Sequence, residues 1–149
     1  MSRTIHAASD HAGLELKNHL VEVLRAAGHE VEDHGTHDGA SVDYPDFAHV
    51  IAGVVAGDEG TEDGAIGLLV CGTGLGMSIA ANRHAGVRAA LCHDVFSARM
   101  TRAHNDANIL CMGARVVGIG VAEEVATAFF GGAFEGGRHA RRVGKIEPK

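Results

Sequence analysis

The run Leu69-Val70-Cys71-Gly72-Thr73-Gly74-Leu75-Gly76-Met77 brings a thiol to the mouth of a loop with three alternating glycines. Glycine allows close backbone approach and unusual torsions, and the N–H groups of such a loop and the helix start after it can surround an anion. A phosphate is one candidate guest and an enediolate oxygen another, because an oxyanion hole uses the same donors. A cysteine that faces the positive end of a following helix has its thiol pKa drawn from about 8.5 toward neutrality, which suits it to remove a proton alpha to a carbonyl. Cys92 and Cys111 lie in or at the end of apolar runs and read as packed, inert thiols. A glycine turn alone would serve equally well as a tight connection. Its spacing is neither the dinucleotide fingerprint nor the Walker loop, so a nucleotide-binding domain is not expected.

Other chemistry-bearing residues recur at comparable places. Asp10-His11 follow the first strand-like run directly, and Asp10 suits a helix N-cap as well as a catalytic position. His104 closes a helical segment, where the dipole favours a histidine and a near-neutral pKa suits acid–base work. Arg138 and Arg142, four apart, project from one helix face and can grip one phosphate, although such a pair also fits a solvated surface. Asp43-Tyr44-Pro45 reads as a turn before a helix.

The elements that must position these groups alternate. Strand-like runs at Thr4 to Ala8, Glu30 to Glu32, Ile66 to Cys71, Val87 to Cys92 and Asn108 to Met112 are separated by helical segments. Those are Leu14 to Ala27 with Gly28 as cap, Phe47 to Ala56, Ser78 to Arg83, Asp94 to His104 with Asp94 as N-cap, and Ala122 to Phe130. The alternation predicts an α/β three-layer sandwich with a doubly wound, mostly parallel, Rossmann-like sheet, whose ligands sit beyond the carboxyl ends of the strands. The chain reads as one domain over 1–149, with a basic helical tail from about residue 136 and an acidic surface loop at 57–64.

Composition narrows the function. A net charge of -6, one tyrosine and no tryptophan provide neither a basic stripe nor a stacking platform for nucleic acid. No run approaches the roughly 20 apolar residues of a membrane span, and three cysteines in apolar settings are not a disulfide framework, so a cytoplasmic setting is expected. Eleven histidines include the neighbours His34 and His37, but no Cys/His set has structural zinc spacing, so neither a metal nor another cofactor is expected.

Six stretches in order resemble the type B ribose-5-phosphate isomerases and their relatives acting on galactose 6-phosphate and allose 6-phosphate. They are 9–13, 43–45, 71–82, 104–108, 113–118 and 135–139. The resemblance implies that Cys71 takes the C2 proton and returns it to C1 through a cis-enediolate. It implies that the amides of Gly72, Gly74, Leu75 and Gly76 hold the charge developing on oxygen, that the Thr73 hydroxyl helps move a proton between O1 and O2, and that His104 opens the furanose ring. Asp10 and Asn105 then contact sugar hydroxyls, His11, Arg115, Arg138 and Arg142 contact phosphate, and Tyr44 lines the site. Relatives without the cysteine carry a glutamate where Met77 stands, and Met77 cannot transfer a proton. The resemblance also implies a homodimer or tetramer with the site shared between subunits. A six-carbon or four-carbon sugar phosphate is the close alternative substrate, and a non-catalytic sugar-phosphate sensor the distant one.

Overall fold

In the computed structural model, residues 2–58 and 64–149 are described. Of the acidic segment 57–64, residues 59–63 lie outside them. Five strands, β1 (Thr4–Ser9), β2 (Glu30–Asp33), β3 (Ile66–Cys71), β4 (Ala89–Leu91) and β5 (Ile109–Gly113), alternate with helices α1 (Leu14–Ala26), α2 (Tyr44–Gly57), α3 (Leu75–Ala81), α4 (Val95–Asn105) and α5 (Ile119–Phe130); α6 (Arg138–Val143) closes the chain. The strands form one sheet in the order β2-β1-β3-β5-β4, and every pairing is parallel.

Period-2 alternation on buried strands explains the layers. On β3, Ile66, Leu68 and Val70 join the apolar cluster under α1 and α5, whereas Leu69 and Cys71 join the cluster under α2 and α3. On α1, Leu16, Leu20, Val21 and Leu24 are buried at helical spacing. That helix ends with the Gly28 N–H bonded to the Arg25 carbonyl and the His29 N–H to the Leu24 carbonyl, the paired bonds of a Schellman turn. Asp94 caps α4, its carboxylate accepting the Ser97 N–H at 2.7 Å.

Helices α2 and α5 start three residues before the expected Phe47 and Ala122, at Tyr44 and Ile119, and two further boundaries depart for a local reason. Helix α3 begins at Leu75 rather than Ser78, because Gly74, at φ 75°, already makes the turn into it. Strand β4 is confined to Ala89–Leu91 within the expected Val87 to Cys92, because it is the sheet edge and pairs only with β5.

One polar tie fixes the loop that enters α2. Lys17 is fully buried on α1, and its Nζ donates to both carboxylate oxygens of Asp33 at 2.7 and 2.8 Å and to the Thr36 carbonyl at 2.8 Å. All three ammonium donors are therefore satisfied. Asp33 also accepts the Gly35 N–H at 2.9 Å. Replacing Lys17 with methionine keeps the volume but strands Asp33 and an inward carbonyl. The variant should lose about 3 kcal/mol of stability, read as a lower midpoint in urea at unchanged slope.

Candidate active site

In a doubly wound sheet the crevice opens where consecutive connections leave in opposite directions, here between β1 and β3. The register that pairs Ser9 with Val70 puts Asp10 and Cys71 side by side at that point, and Cys71 pairs with Gly113 on its other flank. The Cys71 side chain is 4% exposed, and the Gly74 N–H donates to its Sγ at 3.1 Å. A backbone donor thus already points at the sulfur.

The turn around that donor is sterically locked. A Cβ on Gly113 would lie 2.5 Å from the Thr73 carbonyl carbon, and one on Gly74 would lie 2.8 Å from the Met112 carbonyl carbon, so two backbones meet with no side chain between them. Residues 71–74 are thereby pressed onto the end of β5. The Gly113 N–H donates to His93 Nε2 at 2.9 Å, tying in the end of β4. Thr73 is exposed, with its hydroxyl 3.4 Å from the Leu75 N–H.

Around this centre the structure gathers four further residues named from sequence. The Arg115 side chain lies over Gly72, its Cδ and Nη1 each 3.7 Å from where a Cβ would stand. Asp10 accepts the Gly13 N–H at 3.0 Å, so it braces the turn before α1, whose N-cap is Gly13 rather than Asp10. His11 accepts the Val42 N–H on Nδ1 at 3.2 Å and, with Gly39 and Arg115, borders a cleft of about 380 Å³. Tyr44 is the first residue of α2, and its ring lies 2.6 Å from where a Gly76 Cβ would be, so Gly76 makes room for the tyrosine from inside the first turn of α3.

His104, Asn105, Arg138 and Arg142 do not join this group. Helix α4 starts beside the carboxyl ends of the strands and runs back toward their amino ends, carrying His104 about 14 Å along its axis. Arg102 fixes where α4 stops by donating to the Ala107 carbonyl at 2.6 Å and to Asp106 at 3.1 Å. His104, Asn105 and Arg142 line a separate cleft of about 300 Å³ with His139 and Ile146. The rings of His104 and His139 stack with centroids 4.1 Å apart and an interplanar angle of 12°. Desolvation first, then the neighbouring His104 and Arg138, holds His139 below the ordinary imidazole value. Sequence reasoning placed His93 just beyond a strand end and His139 within a matched stretch but assigned neither a role; each adjoins a residue that it did give one, the cap Asp94 and Arg138.

A thiol at the switch point of a doubly wound parallel sheet, met by the backbone N–H of a glycine turn, defines an α/β protein with the frame of a small-molecule enzyme. The chain belongs to the Ribose/Galactose Isomerase family, which matches residues 5–146. It is 47% identical over 137 residues to ribose-5-phosphate isomerase B of Escherichia coli, covering 92% of this chain and 89% of that one. The solved ribose-5-phosphate isomerase B of Clostridium thermocellum superposes with a TM-score of 0.90 at 49% identity, covering 96% of this chain and 94% of that one. That of Mycoplasma genitalium, with bound ribulose-5-phosphate, superposes at 0.91 and 41% identity, covering 98% and 95%. The resemblance and the α/β fold read from sequence both hold.

The other two cysteines are poorly suited to proton transfer. Burial, then the Asp94 carboxylate, pushes the Cys92 thiol up to about 11, and burial pushes Cys111 up as well. In folded protein at about pH 7.5, iodoacetamide should therefore modify Cys71 ahead of both, read by peptide mass spectrometry; equal labelling of all three would contradict the assignment.

Proposed function

We propose that this protein interconverts ribose 5-phosphate and ribulose 5-phosphate by proton transfer through Cys71. The observation that carries the reading is the Cys71 sulfur, held at the switch point with the Gly74 N–H at 3.1 Å, in a chain of the Ribose/Galactose Isomerase family. The bound ribulose-5-phosphate of the Mycoplasma genitalium relative supports the substrate.

In the proposed reaction His104 assists opening of the furanose ring. The Cys71 thiolate then removes the C2 proton of the open aldose, forming an S–H bond as the C2–H bond breaks and leaving a cis-enediolate. Loop amides of Gly72, Gly74, Leu75 and Gly76 stabilise the oxygen that gains charge, an effect about 100-fold or more per donor in oxyanion sites. Thr73 passes a proton between O1 and O2, and the Cys71 S–H returns its proton to C1, giving the ketose. His11 and Arg115 on one side, with Arg138 and Arg142 on the other, bind the phosphate. Asp10 and Asn105 contact hydroxyls, and Tyr44 lines the pocket. A proton shuttle needs no cofactor, because the side chains named here supply and accept every proton that moves.

These roles need a second copy. The thiol lies at the carboxyl edge of the sheet, while His104, Asn105 and the arginine pair lie toward its amino edge, so one subunit holds two complementary half-sites. Leu75, Ile79 and Phe96 are 54, 66 and 69% exposed, large apolar side chains of the kind a partner covers. We therefore propose at least a homodimer, acting in the cytoplasm, with each site built from both subunits. Among the described residues no helix is long and apolar enough to cross a membrane.

Purified protein should form ketose from ribose 5-phosphate faster, by catalytic efficiency, than from allose 6-phosphate, galactose 6-phosphate or a four-carbon aldose phosphate. Cys71→Ala should lower kcat at least about 100-fold. A better six-carbon substrate would change the sugar but keep the chemistry, whereas full activity in Cys71→Ala would remove the base. Mixing Cys71→Ala with His104→Ala should restore part of the activity in hybrid dimers; no recovery after demonstrated subunit exchange would refute the shared site.

A further inference from the structure

Away from the half-sites, parallel pairing places His6 of β1 directly beside Glu32 of β2, and His34 follows at the end of β2. Their ligand atoms converge. His6 Nδ1 stands 3.0 Å from His34 Nε2 and 3.5 Å from a Glu32 carboxylate oxygen, which is itself 3.8 Å from His34 Nε2. The circle through three points at those separations has a radius of about 2.0 Å, the length of a zinc–imidazole or zinc–carboxylate bond. A single ion can therefore reach all three atoms with little movement.

From this geometry we infer that His6, Glu32 and His34 form a binding site for a divalent transition-metal ion of the zinc type, with water completing a tetrahedron.

Two features favour it. Two imidazoles and one carboxylate are a donor set that zinc accepts in a site with one open position. The His6 and His34 rings are tilted by 39° rather than stacked, and Nδ1 of one faces Nε2 of the other at 3.0 Å. The contact between the two ring nitrogens is one that an ion would replace.

The trio His104, Glu135 and His139 also brings three donor atoms within 4.8 Å, but its stacked, nearly parallel rings aim their lone pairs side by side rather than at one point. Nothing in the spacing of the chain announces the β1–β2 site, because its ligands come from two neighbouring strands and not from a short motif. Bound metal would tie those strands together. The site lies about 13 Å along β1 from Asp10, so occupancy is separable from catalysis.

The test is direct titration of the metal-stripped, full-length protein with Zn(II) against a chromogenic chelator, and with Co(II) followed by visible absorption. The expected result is one equivalent per chain, with four-coordinate cobalt bands and no sulfur charge-transfer band. His34→Ala, at a partly exposed side chain, should weaken binding by more than about 100-fold, and Glu32→Gln should weaken it less, both with isomerase activity unchanged. Absence of a stoichiometric site overturns the inference. So does binding that survives His34→Ala, whether it then responds to Cys71→Ala with a thiolate band or to Glu135→Gln.

Discussion

The arrangement depends on one close approach: the turn from Cys71 to Gly74 lies flat against the start of the turn after β5. A Cβ on Gly113 would intrude to 2.5 Å on Thr73, and a Cβ on Gly74 would intrude to 2.8 Å on Met112. The chain has no freedom to place the loop elsewhere, so the Gly74 N–H meets the sulfur at 3.1 Å without help from any side chain. Preorganised donors of this kind do not have to reorient when charge develops, which is the main source of their effect. The flanking residues inherit the constraint, because Arg115 and His93 are both tied to the same two backbones.

Much of this was legible in the sequence. Ile66 to Val70 reads as a doubly buried strand from its apolar run, and the Asp94 cap follows from residue type and place. The limits of α3 were not legible, because Gly74 and Gly76 look alike as loop residues. One makes the left-handed turn, while the other sits in the helix to admit the Tyr44 ring, and only the fold distinguishes them. Lys17 was also hidden: a lysine on an amphipathic helix reads as solvent-facing, and its acceptors lie on another strand and a loop carbonyl. Strand register likewise escapes a linear reading, which is why His6 and Glu32 gave no sign of being neighbours.

The candidate residues were individually readable, but their separation was not. His104 sits at the end of a helix that must run against the strands, and the connection from β4 to β5 dictates that direction. A list of site residues contains no record of which edge of the sheet each occupies. Topology supplies it, setting the Cys71 turn and His104 toward opposite ends of the strands.

The buried ammonium of Lys17 has a consequence for how the cleft beside His11 can change. It secures Asp33 and Thr36 from inside the core, so the loop into α2 is rooted independently of its tip. Residues 37–41 are exposed, and Gly39 of that tip borders the cleft beside His11. Substitutions or small insertions there can reshape one wall of the cleft while the scaffold and the thiol stay in place. Such a division between a fixed root and a variable rim gives a fold of this kind room to accept new substrates without renegotiating its stability.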